Sequence, residues 1–386
     1  MSLDEEFETI FAKHKEEKDI TSFYKETRII EEQLKKDPNL LSLENQLDLY
    51  LNNGHYFYGI DDPKTAIEYY QRAWKYAEAL TDGSRYFTCS NEIKAQIKLG
   101  LGHAYLALED KNQASENYKE NVFWSTKRIV TGHTSVYSYR EVNLFMLQDI
   151  INKEITVVSP KLVNDPFDCP IYSNLKSFET NDTIRDIANE MRKVYRYIKI
   201  RSFVSNKKIN KTNMPNSNKS DTTAPEKENR IFLMWSHYAK DHTGICIKYK
   251  IDAQFLEKDE KQKIASIMYD VEYNKPSLNP SDVISTFEQA FATKNQCWEY
   301  ENEVRLIHYD PNCNADFKSL PLGEHASIEA VYFGLRCSPR DIKTIREILK
   351  EEVAYYQMKE DDEDIFKLVE VPLNDRAKAM LKATEA

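Results

Sequence analysis

Two stretches of this chain carry the same punctuation. In "YLNNGHYFYGIDDPKTAIEYYQRAWKYAEAL", which begins at Tyr50, Gly54 is followed twelve residues later by Ala66 and then by Tyr70. In "KLGLGHAYLALEDKNQASENYKENVFW", which begins at Lys98, Gly102 is followed twelve residues later by Ala114 and then by Tyr118. An aromatic stands three residues after each glycine, Phe57 and Tyr105. The pattern predicts two helices per copy, with the small residues where the helices touch and the aromatics filling the groove. Such a unit cannot bury its apolar face alone, so it must stack on neighbours.

The pattern resembles the tetratricopeptide repeat. The copies lie 48 residues apart, against a usual spacing of about 34, so "TDGSRYFTCS" reads as a lengthened turn between them. Upstream, "FETIFAKHKEEKDITSFYKETRIIEEQLKKDP" has apolar residues at helical spacing and predicts a degenerate preceding pair. We therefore expect a helical-repeat domain over residues 1–130. The resemblance implies a concave surface for a protein or peptide partner or a small signal. A packing scaffold that binds nothing is the alternative.

Composition narrows the rest. Nine glycines among 386 residues argue against a glycine-rich phosphate loop and for a helix-rich protein. A formal net charge of −10 gives no bulk attraction to nucleic acid or to an anionic membrane, although nucleic acid remains open as an acceptor of a transferred group. The six cysteines form no C-x-x-C pair and no metal-ligand spacing, so they read as buried thiols in a reducing compartment. "MSLDEEFETIF" lacks the pattern of a signal peptide, and no apolar run spans a bilayer. The expected location is the cytoplasm.

After "VTGHT" the period changes, and residues 131–386 predict a mixed α+β domain. "SVYSYREV" reads as a strand, "NLFMLQDIINKE" as a helix, "ITVVSP" as a strand, and "SFETNDTIRDIANEMRKVYRYI" as a helix leading to strand "KIRSFVS". The aspartates of "NDPFD" read as turn residues. A basic run from Arg192 to Lys211, Arg201 included, is either a solvated helix face or a phosphate contact. Residues 206–229 hold almost no apolar side chain and predict a disordered or lid-like loop. "IFLMWSHYA" reads as a strand end running into a short turn or helix, and "GICIKYK" as a strand. In "EVRLIHY", alternation puts Glu303, Arg305 and Ile307 on one strand face and Val304 and Leu306 on the other. "SPRDIKTIREILKEEV" is a helix capped by serine with proline at its first position.

The series "YSYRE", "NDPFD", "MWSHYAKDHTGICIKY", then Lys294, Trp298, Glu301, Glu303 and Arg305 in a K-x3-W-x2-E-x-E-x-R run, then "VYFG", resembles an uncharacterised bacterial domain family. Its hallmark is the Trp-Ser-His-Tyr-Ala segment, and it is sometimes found in abortive phage-infection systems. That family carries no established reaction. The order of elements, ending in an E-x-E strand, is also similar to ADP-ribosyltransferases, whose split sheet holds NAD in a cleft.

This second resemblance implies NAD as substrate and a division of roles. Glu303 would be the catalytic carboxylate, with Glu301 orienting or activating the acceptor. Arg140 would contact phosphate. Ser236, His237 and Tyr238 would shape the nicotinamide end beside Trp235. His237 is placed among the catalytic candidates, and both Trp235 and Trp298 also read as core residues. The chemistry needs only an aromatic wall and a carboxylate near developing positive charge. The function expected is an intracellular bacterial defence or toxin-like effector, with the repeats recognising a trigger. A non-enzymatic interaction module is one alternative. A nuclease-like effector that uses the carboxylates with a divalent metal is another, and Asp165, Asp168, His237 and Glu303 are its conceivable ligands. No spacing in the sequence signals a metal site.

Overall fold

The computed structural model describes residues 2–80, 90–126, 135–163, 165, 168–172, 181–205, 225–252, 255, 258–274, 280–364 and 367–385. Six helices come first: α1 (Leu3–Glu17), α2 (Ile20–Leu34), α3 (Leu43–Gly59), α4 (Pro63–Ala79), α5 (Asn91–Ala107) and α6 (Lys111–Thr126). Asp19, Ser42, Asp62 and Ser90 cap α2 to α5, each accepting a backbone N–H from the first turn, which satisfies donors that a helix start leaves open. The predicted early pair is thus α1 and α2. The predicted long turn, residues 81–89, lies outside the described residues.

The glycines act differently from the expectation. A Cβ on Gly54 would stand 2.6 Å from the Tyr70 ring, and one on Gly102 would stand 2.5 Å from the Tyr118 ring. Each glycine therefore makes room for the tyrosine of the partner helix, four residues beyond the small Ala66 or Ala114. The tyrosines are nearly sealed, each 1% exposed.

A mixed α+β domain follows. Its elements are β1 (Ser135–Arg140), α7 (Leu144–Asn152), β2 (Glu154–Val158), α8 (Asp182–Tyr195), β3 (Ile198–Ser205), α9 (Pro225–Tyr238), β4 (Ile245–Ile251), β5 (Lys258–Asp259), β6 (Ile264–Asp270), β7 (Glu272–Asn274), α10 (Pro280–Ser285), α11 (Phe287–Phe291), β8 (Thr293–Asn295), β9 (Glu303–Tyr309), β10 (Phe317–Pro321), β11 (Ala326–Phe333), α12 (Pro339–Leu349), β12 (Ala354–Glu360), β13 (Leu368–Pro372) and α13 (Asp375–Glu385). Of the segment expected to be a loop, residues 206–224 lie outside the described residues, while 225–229 open α9. The segment "IFLMWSHYA", expected as a strand end running into a short turn or helix, is helical as far as Tyr238; Met234, Trp235, Tyr238 and Ala239 repeat at three- and four-residue spacing, with Tyr238 half-buried and the other three buried.

The strands run in the order β13-β12-β11-β4-β1-β3-β9-β6-β5, with β2 joining β3 and β10. The join between β1 and β3 is short. Registered pairing covers only Val136 with Ser205 and Tyr137 with Val204, whereas β1 pairs with β4 along its whole length and β3 pairs with β9 over seven positions. The sheet is thus two halves held by one end of a seam.

Each half has its own cover. Trp235 of α9 and Ala239, just past its end, pack with Tyr332 and Tyr356 on the β4–β11–β12 half. On the β3–β9–β6 half, Ile200, Ile267 and Ile307 share one core with α8 and with Tyr118, Val122 and Phe123 of α6. The last repeat helix is therefore part of the second domain's core.

Candidate functional site

Where β1 and β3 are unpaired, a cavity of about 580 Å³ opens between them. Because the strands part, it reaches side chains that point to opposite sheet faces. Arg140, Ser138 and Arg201 line one end; Tyr238, Lys294, Trp298, Glu301, Glu303 and Asp168 line the other.

The acidic end is built around β9. Its residues Glu303 and Arg305 share a face, as alternation predicts, and Arg305 Nε donates to Glu303 Oε1 at 2.8 Å. Arg305 also meets Asp168 Oδ1 at 2.8 Å and donates to the Phe291 carbonyl at 2.6 Å. Lys294 lies 2.7 Å from Glu301, 3.3 Å from Glu303 and 3.5 Å from Asp168, with its ammonium 5.1 Å from the Trp298 ring centre. Between the two glutamates, Asn302 takes a left-handed conformation with φ of 46°, which asparagine tolerates better than most residues. It ends the short helical turn and starts the strand, and this reversal brings Glu301 back beside Lys294.

The two carboxylates differ. Glu303 is buried, accepts from Ser202 at 2.5 Å as well as from Arg305, and has both oxygens engaged. Burial alone would raise its pKa, but Arg305 and Lys294 outweigh burial and hold it below the usual carboxylate range. Glu301 accepts from Tyr238 and Lys294. Burial raises its pKa, and Lys294 only partly offsets this. Burial and the adjacent Glu301 also raise the Tyr238 phenol.

The basic end has fewer partners. Arg140 pairs with Asp149 of α7, whose other oxygen accepts from Thr156 at 2.5 Å. Arg201 crosses the seam to donate to Ser138 Oγ at 2.8 Å. Burial, followed by the charge of Arg140, pushes its pKa down to about 10.

Of the residues expected at the site, Glu301, Glu303, Arg140 and Tyr238 meet in this cavity. Trp235, Ser236 and His237 do not line it. Consecutive side chains on a helix point about 100° apart, so α9 scatters them. Trp235 is 1% exposed and stands edge-on to Tyr139. Ser236 contacts His242 Nε2 at 3.4 Å, and the exposed His237 meets Tyr300 OH at 2.9 Å. The basic run also disperses: Lys199 is fully buried against the Arg196 carbonyl, and Arg192 donates to the Ile171 carbonyl at 2.7 Å.

Sequence reasoning gives Lys294 no role of its own, Arg201 only a place in the basic run, and Asp168 only the readings of turn residue and conceivable metal ligand. Lys294 does stand in the K-x3-W-x2-E-x-E-x-R run. Asp168 serves in the ion cluster rather than simply as a turn cap. Of the conceivable metal ligands, Asp168 and Glu303 converge on Lys294, while His237 does not join them. No group of three or more His, Cys, Asp or Glu side chains among the described residues is placed to hold a metal ion.

Residues 234–306 match the sequence profile of a family described as "Protein of unknown function (DUF2971)". The match begins at the α9 residues that reach the cavity and ends just past Arg305, so it contains Tyr238, Lys294, Trp298, Glu301, Glu303 and Arg305 and excludes Asp168, Arg140 and Arg201. No curated protein matches the chain, and no solved structure matches it. Among the described residues, no helix is long and apolar enough to cross a membrane.

Proposed function

We propose that the cleft binds a pyrophosphate-bearing nucleotide, NAD foremost, and breaks its nicotinamide–ribose bond. The observation that carries this reading is the split seam, which puts two arginines and a carboxylate end into one cavity. Arginine suits phosphate because its planar fork donates two parallel hydrogen bonds. Arg201 and Arg140 would hold the diphosphate, and the nicotinamide–ribose end would lie toward Trp298, Tyr238 and Glu301.

In the reaction the C1′–N bond breaks and its electron pair leaves with nicotinamide, which becomes neutral. Positive charge develops on the ribose. Glu301 stabilises that charge, a role for a carboxylate in a water-poor site. Water or an acceptor side chain then bonds to C1′ and gives up its proton, yielding ADP-ribose or an ADP-ribosylated product. We assign the carboxylate role to Glu301 rather than Glu303, since Glu303 is held by two cations, Arg305 and Lys294, and by Ser202, whereas Glu301 meets one cation, Lys294, and the neutral Tyr238 phenol. Glu303 is then a positioning residue for Lys294.

A metal-dependent nuclease is less well supported, because the point where Asp168, Glu301 and Glu303 converge is taken by the Lys294 ammonium. With the helical hairpins as a recognition surface, the reading extends to a toxin-like or defence effector that consumes NAD. The test is nicotinamide release from NAD by the purified chain. Glu301→Gln should lower it by about 100-fold or more with the fold intact. Absence of both turnover and NAD-induced thermal stabilisation would sink the reading.

A further inference from the structure

A second cavity, of about 400 Å³, lies between the helical hairpins and the second domain. Its size falls within the range of small-ligand pockets, about 300–1,000 Å³. Helices α3 to α6 form most of it, with Tyr58, Tyr70 and Leu99 as walls, and the start of α11 closes one side through Thr286, Phe287 and Glu288. Two imidazoles line it. His55 Nδ1 is paired with Tyr70 OH at 2.9 Å, but His103 Nε2 is enclosed and meets no hydrogen-bond partner among the described residues. Burial lowers the His103 pKa to about 4, so the ring is neutral at physiological pH. A neutral imidazole offers one donor and one acceptor. A partner carrying a donor and an acceptor side by side satisfies either tautomer, and an enclosed polar atom without a partner costs about 1–3 kcal/mol.

The α11 wall is connected to the cleft. Tyr269 OH donates to Glu288 at 3.3 Å and to the Ser125 carbonyl at 3.4 Å, and both acceptor residues line this second cavity. Tyr269 stands opposite Arg305 in the β6–β9 ladder. Arg305 donates to the carbonyl of Phe291 at the end of α11. The chain then runs through Thr293 to Lys294.

We propose that this cavity is an effector site for a neutral planar heterocycle with adjacent hydrogen-bond donor and acceptor, a nucleobase or a heteroaromatic carboxamide without phosphate. Its occupation is transmitted along α11 to Arg305 and Lys294. The proposal does not depend on which reaction the cleft performs.

The experiment titrates the full chain with adenine and with nicotinamide by calorimetry, with pyridine as the control that lacks the amide. Amide hydrogen exchange over residues 293–305 is followed in parallel. At least one of the two probes should bind, and pyridine should bind more weakly. His103→Phe should weaken binding by about tenfold, and Leu99→Trp, which fills the cavity from the same helix face one turn away, should do the same if His103→Phe fails to fold. Glu301→Gln should leave this binding unchanged, which separates it from occupancy of the cleft. Exchange over 293–305 should slow on binding. The site is overturned if neither probe binds at about 10 mM, or if Glu301→Gln abolishes binding that Leu99→Trp preserves. Binding with unchanged exchange over 293–305 would overturn the transmission.

Discussion

At the acidic end of the cleft, Asp168, Glu301 and Glu303 share Lys294 and Arg305 within 3.5 Å. At the basic end, Arg140 holds Asp149, while Arg201 is stabilised by Ser138, a neutral hydroxyl. If all groups are ionised, the first end carries one surplus negative charge and the second one surplus positive charge. The acidic end is assembled before any ligand arrives. The basic end is less fully compensated, and a half-buried cation without a full anionic partner gains most when an anion is supplied.

The comparison can be broken most severely at Arg305. Arg305→Met leaves Asp168 and Glu303 buried without that guanidinium, and the expected loss is about 3–5 kcal/mol of unfolding free energy in urea. A loss below about 1 kcal/mol would mean that the cluster relaxes into water and is not preassembled. A second contrast lies along β9 itself, between the charged cluster and His308, which is fully buried against Ser266. Burial, with Lys318 nearby, lowers the His308 pKa to about 4. The folded ring therefore stays neutral while the unfolded ring takes a proton near pH 6.5. Stability should fall as pH drops from about 6.5 toward about 4, by about 2 kcal/mol at pH 5. His308→Gln should remove its share, about 2 kcal/mol, of that slope in urea titrations at pH 7 and pH 5, the buried His55 and His103 keeping theirs, and an unchanged slope would assign the acid sensitivity elsewhere.

At the basic end, pyrophosphate should raise the melting temperature, and Arg201→Gln should weaken its binding by about tenfold. Equal stabilisation of both proteins would place the anion somewhere else. The smallest effect is expected at Glu301. Its pKa is raised on folding, so its charged form opposes folding at neutral pH and does so less as pH falls through the folded value. Glu301→Gln should therefore leave stability at pH 8 unchanged or up to about 1 kcal/mol higher, since removing one carboxylate balances the cluster. A clear loss would show that Lys294 depends on Glu301.

Much of the fold was legible because periodicity reports burial directly: the helical hairpins, β1, β3, β4, β9 and the Ser338-capped α12 all follow from apolar spacing. α9 was not, since Trp235 and Tyr238 look alike as consecutive-motif residues and only the helix sorts them into core and cleft. The glutamates stand out as an E-x-E pair at a strand entry and Arg140 through the resemblance to ADP-ribosyltransferases, and all three line the cleft. Arg201 could not be told from its basic neighbours, because it faces the cleft only where β3 parts from β1. Nor could the sequence distinguish Glu303 from Glu301, whose difference rests in part on Ser202, 101 residues upstream of Glu303, and on Tyr238 beside Glu301.

The place of α6 bears on how such a chain can be recombined. Tyr118, Val122 and Phe123 belong to the same core as Ile200, Ile267 and Ile307, so the helical array is not a detachable cartridge. Exchanging it for another array would require the incoming last helix to carry a matching apolar face toward β6 and β9. A new array cannot simply be spliced on by a clean genetic cut near residue 130, so the surfaces of the helical array and of the α+β region have to diversify together across that helix.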